Sequence, residues 1–241
     1  MPAKPSYKAR QPGALASRPK RMSPESRREQ ILDAAVQHFA EYGFEGGTRG
    51  VAERLGVTQP LVYRYFPSKD DLIRAVYERV YIKPWREEWM NIVTDRSVPL
   101  RERLIEFYRR YTTVVFAQDW IRIYLFSALR GLEIHRWWLA FIEDHILSTV
   151  CGEIRRTCDL PAFRTVPLQA EELEAYWLFH GGIFYYGMRR EVHGATPRVP
   201  LDQFIEVAVD SMLEGYPSIL RQNVNSTPAP LMTGVILARQ M

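Results

Sequence analysis

The sequence predicts an all-α protein with two parts: an N-terminal three-helix domain that contains a helix-turn-helix, and a larger C-terminal helical domain. Apolar residues recur at helical spacing along the chain, and no segment shows the alternation of a strand. Residues 1–80 carry a formal charge of +5 and residues 81–241 a charge of −1, whereas all six tryptophans lie between residues 81 and 191. This double asymmetry indicates two segments with different tasks, and the basic one suits a polyanion.

The composition excludes several broad classes of protein. Hydrophobic residues make up 46% and charged residues 25% of the 241 residues, as in globular proteins, so a fibre or a wholly disordered chain is excluded. Cys151 and Cys158 are too few to staple a chain of this size, which favours a reducing compartment. The N-terminus has no apolar signal region, and the 14 apolar residues 175–188 are fewer than the roughly 17 needed to span a membrane. A soluble, cytoplasmic protein without membrane contact is expected.

Residues 1–22 are predicted to be a disordered basic arm. They hold four prolines and six lysines or arginines without any acidic residue, and they cannot bury enough apolar surface to offset chain entropy. Lys20 and Arg21 lie just before the first predicted helix, close enough to reach an adjacent minor groove of DNA. Solubility alone is the alternative explanation for the arm.

Residues 23–68 are predicted to form the helix-turn-helix domain. Its first helix starts either at Ser23, with proline in the first turn, or at the capping box of Ser26 and Glu29, and it ends at Gly43. Two short helices follow, at residues 49–55 and 59–66, separated by a turn that starts with Gly56. In the second of these, Val62 and Phe66 face inward. The residues expected to face outward near its start are Gln59, Pro60, Tyr63 and Arg64.

The order of these motifs resembles the DNA-binding domain of the tetracycline-repressor (TetR) family. Residues 25–80 contain Ile-Leu-x-Ala-Ala-x-x-x-Phe, then Val-Ala-x-x-Leu-Gly-Val, Val-Tyr-x-Tyr-Phe and Ser-Lys-x-x-Leu in that order. The match covers about a quarter of the chain; the later helices are similar to the family only in number and length. The resemblance implies a sequence-specific DNA-binding transcriptional regulator without catalytic residues or a cofactor.

The resemblance also implies roles for individual residues. Gln59 and Arg49 would read bases, since glutamine pairs with adenine and arginine with guanine. Pro60 would contact a thymine methyl group, and Arg64 would reach a base or a phosphate. The residues expected to hold phosphates or cap the two short helices are Thr48, Thr58, Tyr63, Tyr65 and Lys69. Arg49 and Arg64 as solvated surface charges, and Tyr63 as a core aromatic, are the alternatives.

Two positions depart from the family pattern. His38 stands where the family usually has leucine, so the first helix is expected to pack unusually there, with a satisfied histidine rather than a ligand. The loop at Gly46 and Gly47 lacks the polar residue often found before the second helix, which leaves Thr48 or Gly47 as its expected cap. Neither departure changes the predicted fold.

Residues 69–222 are predicted to be a helical ligand-binding and dimerisation domain, followed by a tail at 223–241. A long helix from residue 69 toward 89 would connect the two domains, and further helices are expected at 100–116, 120–130, 135–158, 169–192 and 201–221. Many bulky rings are hard to pack without gaps, and a chamber lined by aromatics suits a small apolar or aromatic effector. The residues expected to line it are Trp85, Trp89, Tyr111, Trp120, Tyr124, Trp138 and Trp177. Ordinary core packing is the alternative.

A homodimer is expected because one short recognition helix contacts few base pairs, so specificity requires two copies on a palindromic operator. By resemblance, the last two long helices of each subunit would form a four-helix bundle. Gly181, Gly182 and Gly187 would let these helices approach closely, or would merely relieve crowding by neighbouring aromatics.

Functions other than a ligand-released repressor have less support in the sequence. No phosphate loop, nucleophile elbow or zinc-protease pattern is present, so an enzyme is not expected. His135, Glu143, Asp144 and His145 are closely spaced, but on a helix surface this pattern is more typical of solvated polarity than of a metal site. A redox sensor that uses the two cysteines and an architectural DNA-binding protein remain the alternatives.

Overall fold

The computed structural model describes residues 22–224 and is helical throughout. Its N-terminal domain contains α1 (Pro24–Tyr42), α2 (Gly47–Leu55), α3 (Gln59–Tyr65) and the start of α4 (Lys69–Tyr77). The predicted basic arm and residues 225–241 of the predicted tail lie outside the described residues.

The C-terminal domain contains the remaining helices and three π-helical turns. The helices are α5 (Glu88–Thr94), α6 (Leu100–Val115), α7 (Gln118–Leu129), α8 (Glu133–Phe141), α9 (Ser148–Thr157), α10 (Ala170–Gly187) and α11 (Leu201–Val224). A π-helical turn (Glu78–Ile82) extends α4, another (Ile142–Leu147) joins α8 to α9, and a third (Met188–Val192) extends α10. The all-α fold predicted from the sequence is confirmed.

The ends of the first helices show which of the predicted caps operate. Ser23 caps α1, since its hydroxyl accepts the Ser26 N–H at 3.1 Å, so the alternative start at Ser26 is wrong. Ser68 and Asp71 form the predicted capping box of α4. The expected cap at Thr48 or Gly47 is wrong, because Gly46, with a left-handed φ of 69°, precedes α2. Only a residue tolerant of positive φ fits there, which explains why the loop holds glycine rather than a polar cap.

The single long helix predicted to run from residue 69 toward Trp89 is wrong. The chain leaves the helix after Ile82, and α5 starts anew at Glu88. Pro84 lies in the break, and proline has no N–H with which to continue a helical ladder. The connection between the domains is therefore α4 and its π-helical turn.

One continuous core joins both domains. Helix α1 of the N-terminal domain packs on α2 and α4 and also on α7 of the C-terminal domain. Within the C-terminal domain, α11 packs on α6, α9 and α10. Tyr81, fully buried in the π-helical turn after α4, donates a hydrogen bond to the carbonyl of Trp120 at 3.1 Å. The N-terminal domain is thus held against the rest of the chain through α1 and α4.

A buried ion pair fixes the long connection between α9 and α10. Arg155 and Glu172 are almost fully buried and form a bidentate pair, in which Nε and Nη2 of the guanidinium group donate to the two carboxylate oxygens. Arg155 also donates to the carbonyls of Pro161, Val166 and Pro167. Because a buried guanidinium is costly unless its donors are satisfied, these bonds specify the course of the connection.

Gly187 was expected to leave room for a helix of a partner subunit, and this expectation is wrong. A Cβ atom there would lie 2.2 Å from Cε1 of Phe116 in the same chain, so the position is filled from within. Gly181 and Gly182 are different, because added Cβ atoms would meet nothing within 4 Å. The explanation that these two glycines relieve crowding inside the subunit is therefore wrong.

Candidate DNA-binding surface and effector domain

The turn between α2 and α3 presents one face of α3 to solvent. Gly56 adopts the left-handed conformation, with φ 65° and ψ 32°, that ends α2 and reverses the chain. Val62 and Phe66 are buried as predicted, which fixes the rotation of α3 about its axis. Pro60, Tyr63 and Arg64 are therefore exposed, and Gln59 is half-buried at the start of the helix.

A short chain of hydrogen bonds positions two of these side chains. Thr48, at the start of α2, is only 4% exposed. Its hydroxyl oxygen accepts the Gln59 amide N–H at 2.9 Å, and its own O–H donates to the Tyr63 hydroxyl oxygen at 3.2 Å. This leaves the carbonyl oxygen of Gln59 and the hydroxyl hydrogen of Tyr63 unused. Thr48 was predicted to contact DNA, but in the structure it lies behind the surface and orients its two neighbours.

The residues that flank α3 differ in how they are held. Arg49 is exposed and forms an ion pair with Glu53 at 2.9 Å, and its role in base readout stays a prediction. Thr58 precedes α3 and is exposed, but its side chain makes no capping hydrogen bond, so the prediction that Thr58 caps this helix is wrong. Tyr65 is half-buried. Lys69 is exposed at the start of α4, and its aliphatic stem lies over Gly47.

His38 supports this surface from behind. Its ring is 8% exposed, and Nε2 lies 2.9 Å from the carbonyl oxygen of Glu45. The same ring lies against Gly50 of α2, where an added Cβ atom would be 2.4 Å from Cε1. The expectation of a satisfied histidine is confirmed. Its partner Gly50, which the sequence reading did not single out, is the residue that allows α1 and α2 to approach so closely.

In the C-terminal domain the aromatics predicted to bind an effector fall into three groups. Trp120 stacks on Tyr124 and meets Trp138 edge to face, with centroid distances of 5.4 Å in both pairs. Trp85 and Trp89 form a second edge-to-face pair at 5.3 Å. Tyr111 and Trp177 belong to a third group, where each contacts His180. The rings lie in mutual contact, and their role in effector binding stays a prediction.

His180 lies at the centre of a buried polar cluster that the sequence reading missed. Its Nδ1 is 3.1 Å from the hydroxyl of Tyr108 and its Nε2 is 3.2 Å from that of Tyr111, while the hydroxyls of Tyr108 and Tyr176 are 2.7 Å apart. Burial away from water lowers the pKa of His180 to about 4, so the ring is neutral near pH 7. The available signal was the one histidine within the apolar run 175–188.

The histidines and acids noted as closely spaced do not form a metal site. Within residues 22–224 no group of three or more His, Cys, Asp or Glu side chains is placed to hold a metal ion. Glu143 instead accepts a hydrogen bond from the Trp177 indole at 3.3 Å, and desolvation raises the pKa of this carboxyl group. The same residue range contains no helix both long and apolar enough to cross a membrane.

The exposed face of α3, supported by α1 and α2, defines the N-terminal part of the chain as a helix-turn-helix DNA-binding domain. A family model described as bacterial regulatory proteins, tetR family, matches residues 31–76. This domain therefore belongs to the TetR family, as its motifs indicated.

Relatives and solved structures agree with this assignment. The chain is 28% identical over 118 residues to the HTH-type transcriptional regulator LuxR of Vibrio harveyi, a match that covers 46% of this chain and 55% of LuxR. It is 29% identical over 113 residues to the HTH-type transcriptional regulator HbdR of Aromatoleum sp. (strain CIB), covering 46% and 48%. The chain thus matches about half the length of these relatives.

The fold of most of the chain has counterparts among solved structures. The crystal structure of a TetR-like transcriptional regulator from Rhodococcus sp. RHA1 has a TM-score of 0.58 and 19% identity, covering 81% of this chain and 100% of that one. At this identity the likeness concerns the fold alone. The C-terminal helices are therefore arranged as in a TetR-like regulator, whatever they bind.

Proposed function

We propose that the protein is a sequence-specific transcriptional regulator, and not an enzyme, that binds a palindromic operator in double-stranded DNA as a homodimer. It acts as a repressor that a small apolar or aromatic effector releases. The observation that carries the proposal is the exposed face of α3, on which Gln59 and Tyr63 are oriented in advance by Thr48. Side chains ordered before binding lose less entropy when they meet the groove.

The chemistry of this face fits a major groove. The amide of Gln59 can still accept and donate one hydrogen bond each, which is what bidentate pairing with adenine requires. The free hydrogen of the Tyr63 hydroxyl suits a phosphate oxygen, and so does Lys69 at the N-terminal end of α4. Arg49 and Arg64 supply cationic donors on either side of these groups.

A second subunit is proposed to cover the outer face of α10 and α11. Leu178 is 81% exposed, and Tyr185 and Val207 are each 55% exposed, an unusual amount of apolar surface for one region of a soluble monomer. Gly181 and Gly182 leave open space on α10, as does Gly215 on α11, so a partner backbone can come close. These features support the expected four-helix bundle between two subunits.

The redox alternative has little support from the cysteines. Cys151 is buried with its sulfur 3.1 Å from the hydroxyl of Tyr216, and desolvation raises the pKa of this thiol to about 12. A thiol that stays protonated is a poor nucleophile and a poor sensor. Burial also raises the pKa of Cys158. An effector-controlled regulator is therefore favoured over a thiol switch.

Selection of bound fragments from a random DNA pool tests the DNA-binding part of the proposal. We expect recovery of a palindrome whose half-sites are about 34 Å apart or a multiple of that distance. Fluorescence anisotropy at fixed salt should then show at least about a tenfold loss of affinity for Arg64→Ala. Arg136→Ala is the matched control, because Arg136 is exposed on α8 and pairs only with Glu133. Equal affinity for the recovered site and random DNA would favour an architectural protein.

Analytical ultracentrifugation tests the dimer separately. We expect a dimer for the wild-type chain and a monomer for Leu178→Glu, since the charge would lie in the apolar interface. Leu129→Glu is the control, because Leu129 is 83% exposed at the end of α7, away from the proposed interface. A monomeric wild-type chain would contradict the proposal. The recovered operator then allows a screen for compounds that release it.

A further inference from the structure

A cleft between the two domains has features of a small-molecule site, and it shares only Trp120 with the aromatic groups described above. It has a volume of about 500 Å³, within the range of ligand pockets. Its walls come from α1, from the segment that follows α4, and from the junction of α6 and α7. The lining residues that carry the argument are Val36, Val80, Val114, Ala117, Asp119 and Trp120.

The cleft lies between two clamps that hold α1 against the C-terminal domain. At one end Arg79 bonds to Glu29 and Asp33, each at 2.5 Å. At the other end Arg122 donates to the carbonyl oxygens of Ala40 and Glu41 in the last turn of α1. A molecule bound between these clamps would contact both domains at once.

One wall of the cleft is apolar. Val36, Val80 and Val114 are partly buried and line it together with Trp120, which is only 2% exposed. This wall suits the apolar body of a ligand.

The other wall carries the carboxylate of Asp119, which forms no ion pair within residues 22–224, whereas Asp33 is paired with Arg79. Arg54 and Arg122 also line the space around Asp119, but Arg54 is paired with Glu41 and Arg122 bonds to carbonyl oxygens of α1. A second cavity of about 330 Å³ adjoins the first and shares Gln37 and Asp119 with it. Asp119 therefore stands where the two spaces meet, accessible to a charged group of a molecule whose body lies in the first.

We propose that this cleft binds an organic cation, an amine carried on an apolar body, with the amine at Asp119 and the body against Val80 and Val114. Bound there, the molecule alters how α1 packs on α7. The consequence for operator affinity rests on the proposed function, whereas the binding itself does not. Asp119 also lies in the first turn of α7, where its negative charge interacts favourably with the helix dipole and stabilises the helix. The test must therefore separate ligand binding by Asp119 from its contribution to helix stability.

The test uses three probes of equal shape and different charge on the full chain at pH 7: 4-phenylbutylamine, 4-phenylbutanol and 4-phenylbutyrate. Isothermal titration calorimetry should show the amine binding about fivefold more tightly than the alcohol, and the carboxylate more weakly than both. Asp119→Asn should reduce the affinity of the amine to that of the alcohol. Glu102→Gln removes the equivalent first-turn charge from α6, outside the cleft, and should change nothing.

Two further measurements locate the site. Ala117→Trp places an indole at the exposed mouth of the cleft and should reduce the affinity of the amine at least about tenfold. Hydrogen exchange on the wild-type chain should show protection by the amine at residues 33–40 and 113–122. No binding of the amine at millimolar concentration, equal binding of amine and carboxylate, or protection confined to α8–α10 would each overturn the proposal. Because the calorimetry contains no DNA, it tests binding of the amine to the cleft even if the protein binds no operator.

Discussion

The close approach of His38 to Gly50 leads to the sharpest prediction, the effect of Gly50→Ala. The added Cβ atom would lie 2.4 and 2.5 Å from two atoms of the His38 ring. The ring cannot move freely, because Nε2 is bonded to the Glu45 carbonyl at 2.9 Å and the side chain is buried. Overpacking of this kind costs about 1 to 3 kcal/mol, and the helix propensity of alanine offsets at most about 1 kcal/mol. We expect a net loss of stability.

The control is Gly152→Ala in α9, where the new Cβ atom would lie 3.6 Å from Phe163, an ordinary contact. This substitution should stabilise the protein by up to about 1 kcal/mol, so the two variants should differ in sign. Urea unfolding followed by far-ultraviolet circular dichroism measures both. In a His38→Ala background, Gly50→Ala should cost much less than in the wild type, because the ring that the new Cβ atom would meet is gone. A Gly50→Ala variant at least as stable as the wild type, or one equally destabilised with and without His38, would refute the reasoning.

Four further outcomes follow from buried groups. Thr48→Val removes both hydrogen bonds that orient the α3 face, so we expect about a tenfold loss of operator affinity by anisotropy with only about 1 kcal/mol lost in urea unfolding; unchanged affinity would contradict this. Glu172→Gln leaves Arg155 buried without a counter-charge and should lower stability by about 3 kcal/mol. The pKa of His180 is lowered to about 4 in the folded protein, so the unfolded chain takes up the proton at a higher pH than the folded chain does. The free energy of unfolding should therefore fall by about 3 kcal/mol as the pH drops from 6.5 to 4. His180→Gln should remove this part of the pH dependence. Cys151, with its thiol pKa near 12, should resist iodoacetamide at pH 8 until the protein unfolds, and rapid labelling would reopen the redox alternative.

Local features of the chain were readily predicted from the sequence. The capping box at Ser68, the turn at Gly56 and the inward direction of Val62 are confirmed. Each depends on groups within about four residues of one another, so helical spacing and cap chemistry suffice to predict them. The break after Ile82 is a local feature that was missed, although Pro84 marks it.

Contacts between helices were predicted less well. Thr48 looked like a cap that reaches DNA, yet it faces Gln59 and Tyr63, eleven and fifteen residues later in the chain. Its direction depends on the crossing of α2 and α3, which spacing along one helix does not determine. Gly187 was expected to contact a partner subunit for the same reason. Its actual neighbour, Phe116, lies far away in the sequence, and spacing along α10 gives no sign of this contact.

The sequence by itself determined that the chain is helical, that its N-terminal part carries a helix-turn-helix, and which face of α3 is exposed. Only the tertiary structure decided that His38 contacts Gly50, that His180 bonds to tyrosines of α6 and lies beside Tyr176 of α10, and that a cleft opens near Asp119 beside the packing of α1 on α7. The first set follows from backbone hydrogen bonding and burial along single helices. The second depends on how several helices pack at once, where the shape of each side chain is matched to partners far away in the chain.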